Sequence, residues 1–436
     1  MSSPAHTQAQ ALLEFIDVSP SPWHAVNTVQ EQLKNWRFKQ LHEADSWSLQ
    51  AGGRYYVVRD DSSLIAFVTG PRPLPETGYK IVAAHTDSPG LRIKPRAAHI
   101  TGQMVRLGVE VYGGPILATF SDRDLSLAGR ISYIADDQRV KSRLLRVARP
   151  ILRLPNLAIH MNRKVNEEGL KFDSQTELPL LFCAALSEQL PETDFLQFLQ
   201  HQTAIEAQRI LSWELNVYDT QPGEFWGAQR EFIADSQLDN LASCHAGIQA
   251  LLNETTLQTD TTLVCALFDH EEIGSESNKG ADGSFLPDTL QRVAAAQQLN
   301  TQDYHRALAR SFMISADMAH AYQPNFPKGY DPQHRVFVNQ GPVIKINVNQ
   351  RYATESVSAA HFIHWCEQAE VPHQQYSHRS DIPCGSTIGP MSSARMGIRS
   401  VDVGNPLWAM HSIRESAGVY DHAYMLRVLR CFFQQP

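Results

Sequence analysis

Two adjacent carboxylates, Glu271 and Glu272, stand in the run Phe268–Ser277 (FDHEEIGSES), directly after the apolar stretch Thr262–Phe268. Neighbouring ionised carboxylates repel, and burying them without a cation is costly. A hydrolytic metal centre uses both at once. One glutamate binds a divalent cation while its neighbour, pointing elsewhere, takes a proton from water that the cation acidifies. Glu-Glu pairs are also common on solvated helix faces, so what surrounds the pair decides. The preceding TLVCALF reads as a buried strand, and acidic residues at the C-terminal end of such a strand sit where open α/β sheets bind ligands. Gly274 stands where a zincin helix would need a second histidine four residues after His270, which rules out that motif.

Four further segments carry candidate ligands. The apolar strand Tyr79–Ala84 runs into His85-Thr86-Asp87, where alternation puts His85 and Asp87 on one side. That suits an imidazole ligand with a carboxylate to orient it, although a core histidine satisfied by its Asp neighbour fits equally well. In SQLDNLAS, Asp239 sits where loop becomes helix, a place that an N-cap role also explains. Asp317 leaves the end of the apolar SFMISA, and His411 follows a later strand in VDVGNPLWAMHS, a loop constrained by Pro406. Together His85, Asp239, Glu272, Asp317 and His411 offer two imidazoles and three carboxylates. Such a set can hold two divalent cations if one carboxylate bridges them, with Glu271 left free. Many oxygen donors, two histidines and no thiolate favour zinc, with manganese or cobalt also feasible.

The elements that must position these residues follow an α/β rhythm. After Glu231 the pattern gives a helix over Leu238–Asn253, a strand over Thr262–Phe268, a helix over Asp288–Gln298, strands over Phe312–Ala316 and Arg399–Val403, and a C-terminal helix. The N-terminal part adds helices around Ala9–Ile16 and Pro22–Trp36 and strands Arg54–Arg59 and Leu64–Thr69. Between Ile93 and Gly223 the texture changes to short alternating segments such as MVRLGVEVYGG, with a helical stretch around Leu180–Leu190. The expected fold is α/β, a mostly parallel central sheet flanked by helices. Residues 1–92 and 224–436 form the catalytic domain, and a β-rich unit over 93–223 is inserted into it.

Composition narrows the function classes. With 436 residues, 43% of them hydrophobic, and a formal charge of −8, the chain suits an ordinary globular protein without general affinity for nucleic acid or anionic membrane. No segment reaches the roughly 18 consecutive apolar residues of a membrane span, and the N-terminus lacks a basic start and apolar centre, so a cytoplasmic location is expected. Six scattered cysteines without C-x-x-C spacing read as reduced thiols. No G-x-S-x-G elbow supports a serine hydrolase; Ser386 follows a glycine but lacks the spacing.

At these residues the chain resembles the M18 family of metallo-aminopeptidases, the aspartyl aminopeptidases. The segments that carry the likeness are HTDSPGLRIKP at 85–95, LDNLAS at 238–243, DHEEIGSES at 269–277, SAD at 315–317, NQGPVIKIN with RYAT at 339–354, DIPCGSTIGP at 381–390 and AMHSIRE at 409–415. The resemblance implies that His85 and Asp317 bind one metal, Glu272 and His411 a second, and that Asp239 bridges them. It further implies Glu271 as general base, Asp87 as support of the first site, and a cis Asp239–Asn240 bond. Two divalent ions per subunit, peptides beginning with Asp or Glu as substrates, and a tetrahedral dodecamer built through the inserted unit are implied likewise. Lys345 would face the acidic side chain of the substrate, His160 would reach into a neighbouring subunit's site, and His334 and Tyr352 would lie in the substrate pocket. One departure is visible: Gln237 occupies a position that is commonly basic in the family.

Two rivals stand beside this reading. A di-metal carboxypeptidase or deacylase would share the chemistry but needs a basic group for a C-terminal carboxylate. A non-catalytic carrier of the same fold would not need a complete ligand set with a free Glu271.

Overall fold

In the computed structural model, which describes residues 3–185 and 191–435, the chain forms three sheets. The largest has nine strands. At its centre Thr262–Phe268, Tyr79–His85, Phe312–Ala316 and Arg399–Gly404 lie side by side and parallel. Every residue of Thr262–Phe268 and Tyr79–His85 is buried, as expected for a sheet covered on both faces.

The two-residue period of a strand sorts these side chains into two cores. Val82, Ala84, Leu263, Cys265 and Leu267 pack toward helices Pro4–Asp17, Leu238–Leu251, Ser356–Gln368 and Val419–Gln434. Ile81, Ala83, Val264, Ala266 and Phe268 pack toward Phe285–Ala296, Thr301–Arg310 and Ile388–Met396 on the other face. Parallel strands in register end together: Phe268 lies opposite His85, and Ala316 opposite Val403. The residues that follow, His85–Asp87, Asp269–Glu272 and Asp317, therefore emerge along one edge. Antiparallel strands complete both flanks, Ser63–Val68 on one side and Val343–Ile346 on the other.

A second sheet of six antiparallel strands spans Gly90–Thr101 to Ile210–Asp219 and has its own core around Leu107, Leu127, Phe195 and Leu215. Its first strand begins three residues after Asp87, so the site and the sheet share a short tether. The stretch 180–190 departs from expectation. Leu180–Ala184 is a strand paired with Met104–Leu107, residues 186–190 lie outside the described residues, and Pro191–Thr203 is helical. A short apolar run cannot be assigned by periodicity alone.

A third sheet escaped the sequence reading altogether. Its five strands, Glu224–Trp226, Phe232–Asp235, Glu415–Gly418, Pro406–Trp408 and Ala319–His320, have two to four residues each. It joins the chain just before Asp239, just after Asp317 and on both sides of His411. Among the described residues no helix is long and apolar enough to cross a membrane, and all six cysteines are free thiols, three of them buried.

Candidate metal centre

His85 closes its strand and is 1% exposed. Its Nδ1 donates to the Asp87 backbone oxygen at 3.0 Å, which leaves Nε2 as the free lone pair. That nitrogen lies 3.5 Å from both Asp239 Oδ1 and Asp317 Oδ1, and 4.0 Å from Glu271 Oε2. His411 is arranged in the same way: Nδ1 donates to the Gly114 carbonyl at 3.0 Å, and Nε2 stands 3.5 Å from Asp239 Oδ2 and 3.4 Å from Glu272 Oε2. An imidazole whose outer nitrogen is fixed by a carbonyl and whose inner nitrogen faces carboxylates is the usual posture of a metal ligand. Asp239 stands between the two imidazoles, one oxygen toward each.

The supporting contacts are as specific. Asp87 accepts the backbone N–H groups of Glu271 and Glu272, both at 3.1 Å, and the Tyr112 hydroxyl at 2.7 Å. One carboxylate thus holds the turn that carries both glutamates. Glu415 accepts the N–H groups of Asp239, at 2.9 Å, and His411, at 2.7 Å. Ser88 Oγ donates to the Asp239 carbonyl and Cys244 Sγ to the His85 carbonyl. The Asp239–Asn240 bond is cis, and Gln237, His270 and His411 have φ of 59°, 67° and 68°, left-handed backbone that non-glycine residues seldom adopt. Gly404 is required where it stands: a Cβ there would meet the Asp317 carbonyl oxygen at 1.8 Å.

Charge shows what the pocket lacks. Six carboxyls, Asp87, Asp239, Glu271, Glu272, Asp317 and Glu415, converge with two imidazoles. Burial, reinforced by the neighbouring acids, pushes the Glu271 carboxyl up to about 8, and it raises Glu272 well above the carboxylate range. Burial also pushes Glu415 up to about 8, with Asp239 adding to the rise. Burial alone would lower both imidazoles, yet the carboxylates around them win. His85 is held well above its ordinary value by Asp239, Asp317 and Asp87, and His411 rises to about 9 beside Asp239. Glu271, Glu272, Glu415 and both imidazoles are moved toward binding a proton, while the imidazoles hold Asp87 and Asp239 below the usual carboxylate range, so the cluster draws positive charge wherever it can, as a pocket built for cations does. Asp239 Oδ1 and Glu272 Oε1 are shut off from solvent and accept no hydrogen bond among the described residues.

Candidate ligand atoms fall into three groups, each within 4.8 Å: His85, Asp239 and Asp317; Asp239, Glu272 and His411; and His85, Glu271 and Glu272. The first two use the five expected ligands once each, with Asp239 shared. The donor set fits two divalent cations, oxygen-rich with one imidazole apiece. The third group enlists Glu271, so geometry alone leaves the division of labour between the two glutamates to their orientation.

The substrate residues divide. Lys345 is 2% exposed and donates from Nζ to Asp317 Oδ2 at 3.2 Å and to the Met318 carbonyl at 3.1 Å, with the buried Tyr352 ring 5.1 Å away. Lys345 thus touches the cluster directly, and Tyr352 stands behind it. His334 is exposed and pairs with Asp331 at 2.9 Å, and no hydrogen bond or ion pair of the described residues joins it to the cluster. His160 lies in a turn flanked by the exposed Leu157, Ile159 and Met161, and no hydrogen bond or ion pair of the described residues joins it to the cluster. Glu415, Tyr112, Gly114, Cys244 and Ser88 were missed. Only Glu415 left a trace in the sequence, an acid four residues after a candidate histidine ligand.

The description "Aminopeptidase I zinc metalloprotease (M18)" belongs to the family whose model matches residues 15–433. A probable M18 family aminopeptidase 2 of Stutzerimonas stutzeri is 46% identical over 428 residues, 97% of each chain. Its counterpart in Pseudomonas aeruginosa is 45% identical over 426 residues, again 97% of each. Among solved structures, Ape4 in its complex with Nbr1 superposes with a TM-score of 0.95 at 36% identity, over 100% of this chain and 87% of that one. The S. cerevisiae mApe1 dodecamer gives 0.86 at 26%, over 99% and 97%.

Proposed function

The chain belongs to the M18 family of zinc metallo-aminopeptidases, and on that premise we propose that it removes acidic residues, Asp or Glu, from peptide N-termini, with Glu271 as general base. Family membership makes the chain a hydrolase of N-terminal peptide bonds and sets aside the carboxypeptidase and carrier readings. In our reading His85 and Asp317 hold one divalent cation, Glu272 and His411 a second, and Asp239 both, zinc being the natural occupant. The observation that carries it is the pair of ligand groups that share Asp239.

Cations held there supply Lewis acidity and lower the pKa of water. The chain's own groups do the rest. Glu271, the one member of the three candidate ligand groups that this assignment leaves over, takes a proton from the attacking water and delivers it to the leaving amine. Asp87 keeps the Glu271–Glu272 turn in place through two backbone N–H groups. Lys345 supports the acidic preference. Two of its three N–H donors are engaged by Asp317 and Met318, and a substrate carboxylate that takes the third meets a buried ammonium, where charge attraction is strong. Tyr352 stands behind Lys345.

We assign residues 93–223 to a dimerisation unit and infer a dodecamer like the one that the mApe1 structure is described as. In it, the exposed turn with Leu157, Ile159 and Met161 carries His160 to the neighbouring subunit's site. His334 belongs to the substrate pocket only if that assembly or the substrate turns it inward. We place the enzyme in the cytoplasm. Cleavage of Asp-, Glu- and Leu-anilides beside N-acyl aspartate tests the substrate class. Acidic anilides are expected to be cleaved fastest, N-acyl aspartate not at all, and Lys345→Met to remove the acidic preference. Equal rates on Leu and Asp, or an unchanged preference in the Lys345 variant, would overturn it.

A further inference from the structure

The strand Met104–Tyr112 of the six-stranded sheet ends in the turn Tyr112-Gly113-Gly114, and these three consecutive residues each touch a different member of the metal centre. The Tyr112 hydroxyl donates to Asp87 Oδ2 at 2.7 Å. Gly113 packs so closely that a Cβ there would lie 3.1 Å from both Cβ and the carbonyl oxygen of Glu272, and its φ of +66° is itself a glycine conformation. The Gly114 carbonyl accepts the Nδ1–H of His411 at 3.0 Å. Two residues on, the Ile116 N–H donates to the His411 carbonyl at 2.9 Å.

We propose that this turn is a positioning element of the metal centre: Tyr112 acts through Asp87 on the Glu271–Glu272 turn, and Gly114 acts through His411. The proposal rests on the assignment above of Asp87, Glu272 and His411 to that centre. The physical case lies in the directions of the bonds. Asp87 has four strong acceptor directions on two oxygens, and it already serves the N–H groups of Glu271 and Glu272. The Tyr112 hydroxyl fixes the rotation of that carboxylate, and so sets where both glutamate side chains start. The phenol ring is itself clamped, with the Arg92 guanidinium 3.7 Å over its face. Gly114 supplies the carbonyl that keeps the His411 proton on Nδ1 and its Nε2 lone pair turned inward. A sheet outside the catalytic core therefore sets the geometry of the Glu271–Glu272 turn and of His411.

The decisive variant is Tyr112→Phe, which removes one oxygen and keeps the ring. Measured on the zinc-loaded full-length protein, kcat is expected to fall about 10–100-fold while KM stays within about twofold, and zinc should pass to a competing chelator about 10–100-fold faster. Gly113→Ala should shed zinc faster still, because its methyl group must displace Glu272. Melting of the metal-free proteins separates positioning from folding: Tyr112→Phe should melt with the parent chain. An unchanged kcat together with an unchanged zinc-loss rate would overturn the proposal. So would an effect confined to KM, or a metal-free variant that melts far below its parent. Zinc loss is read without substrate, and kcat can be followed on whichever anilide the enzyme cleaves. Failure of the acidic preference would therefore leave this test intact.

Discussion

The two imidazoles of the metal centre are held by different means. His85 ends a fully buried central strand, faces Asp239 and Asp317 and is itself 1% exposed. His411 sits in a left-handed loop position, its side chain 30% exposed, and depends on Gly114 and Glu415 for its placement. One half of the site is fixed by the core of its own sheet. The other is assembled from loops, the five-stranded sheet and the six-stranded sheet. A strand end aims one imidazole at the cluster, whereas a second imidazole facing the same aspartate must draw on whatever chain can reach it.

The largest effect expected from breaking this comparison comes from the ligands themselves. His85→Ala should lose more metal affinity than any outer-contact variant, beyond the about 10–100-fold typical of those, and should empty the first site. His411→Ala should release one ion per subunit and leave the His85 site filled. Metal stoichiometry after gel filtration checks both, one ion per subunit being expected to remain in each variant, and loss of both ions from the His411 variant would show that the halves are not separable.

A smaller effect sharpens the same contrast through pH. Without metal, Glu271 is raised to about 8 and His411 to about 9, both above their ordinary values. A raised group stabilises the fold fully below its unfolded pKa and loses that contribution as pH climbs through the folded value. The metal-free protein should therefore melt at progressively lower temperature from about pH 5 to about pH 9. The zinc-loaded protein should change less over that range, and parallel slopes would contradict the view that protons stand in for cations here.

The division between the halves also marks what the sequence could reveal. His85, Glu271, Glu272 and Asp317 were legible because each follows a run of buried β-branched and large apolar residues, and parallel strands in register end together. Asp239 and His411 were less legible: an N-cap explains the one equally well, and the other stands in a loop several residues beyond the strand Arg399–Gly404 that precedes it. The five-stranded sheet that gathers them went unseen because strands such as Ala319–His320 and Pro406–Trp408 are too short to show alternation. The Tyr112–Gly114 contacts are long-range in sequence and carry no local signal. The misassigned stretch at 180–184 failed for a related reason, since five apolar residues fit either period.

The central claim is that Glu272 holds metal while Glu271 moves protons, and Glu271→Gln tests it most directly. Metal content and turnover should be measured on the same preparation. The account expects two ions per subunit, as in the parent chain, with kcat lower by about 10²–10⁴-fold. A variant that keeps full turnover, or that sheds an ion on losing this carboxylate, would contradict it.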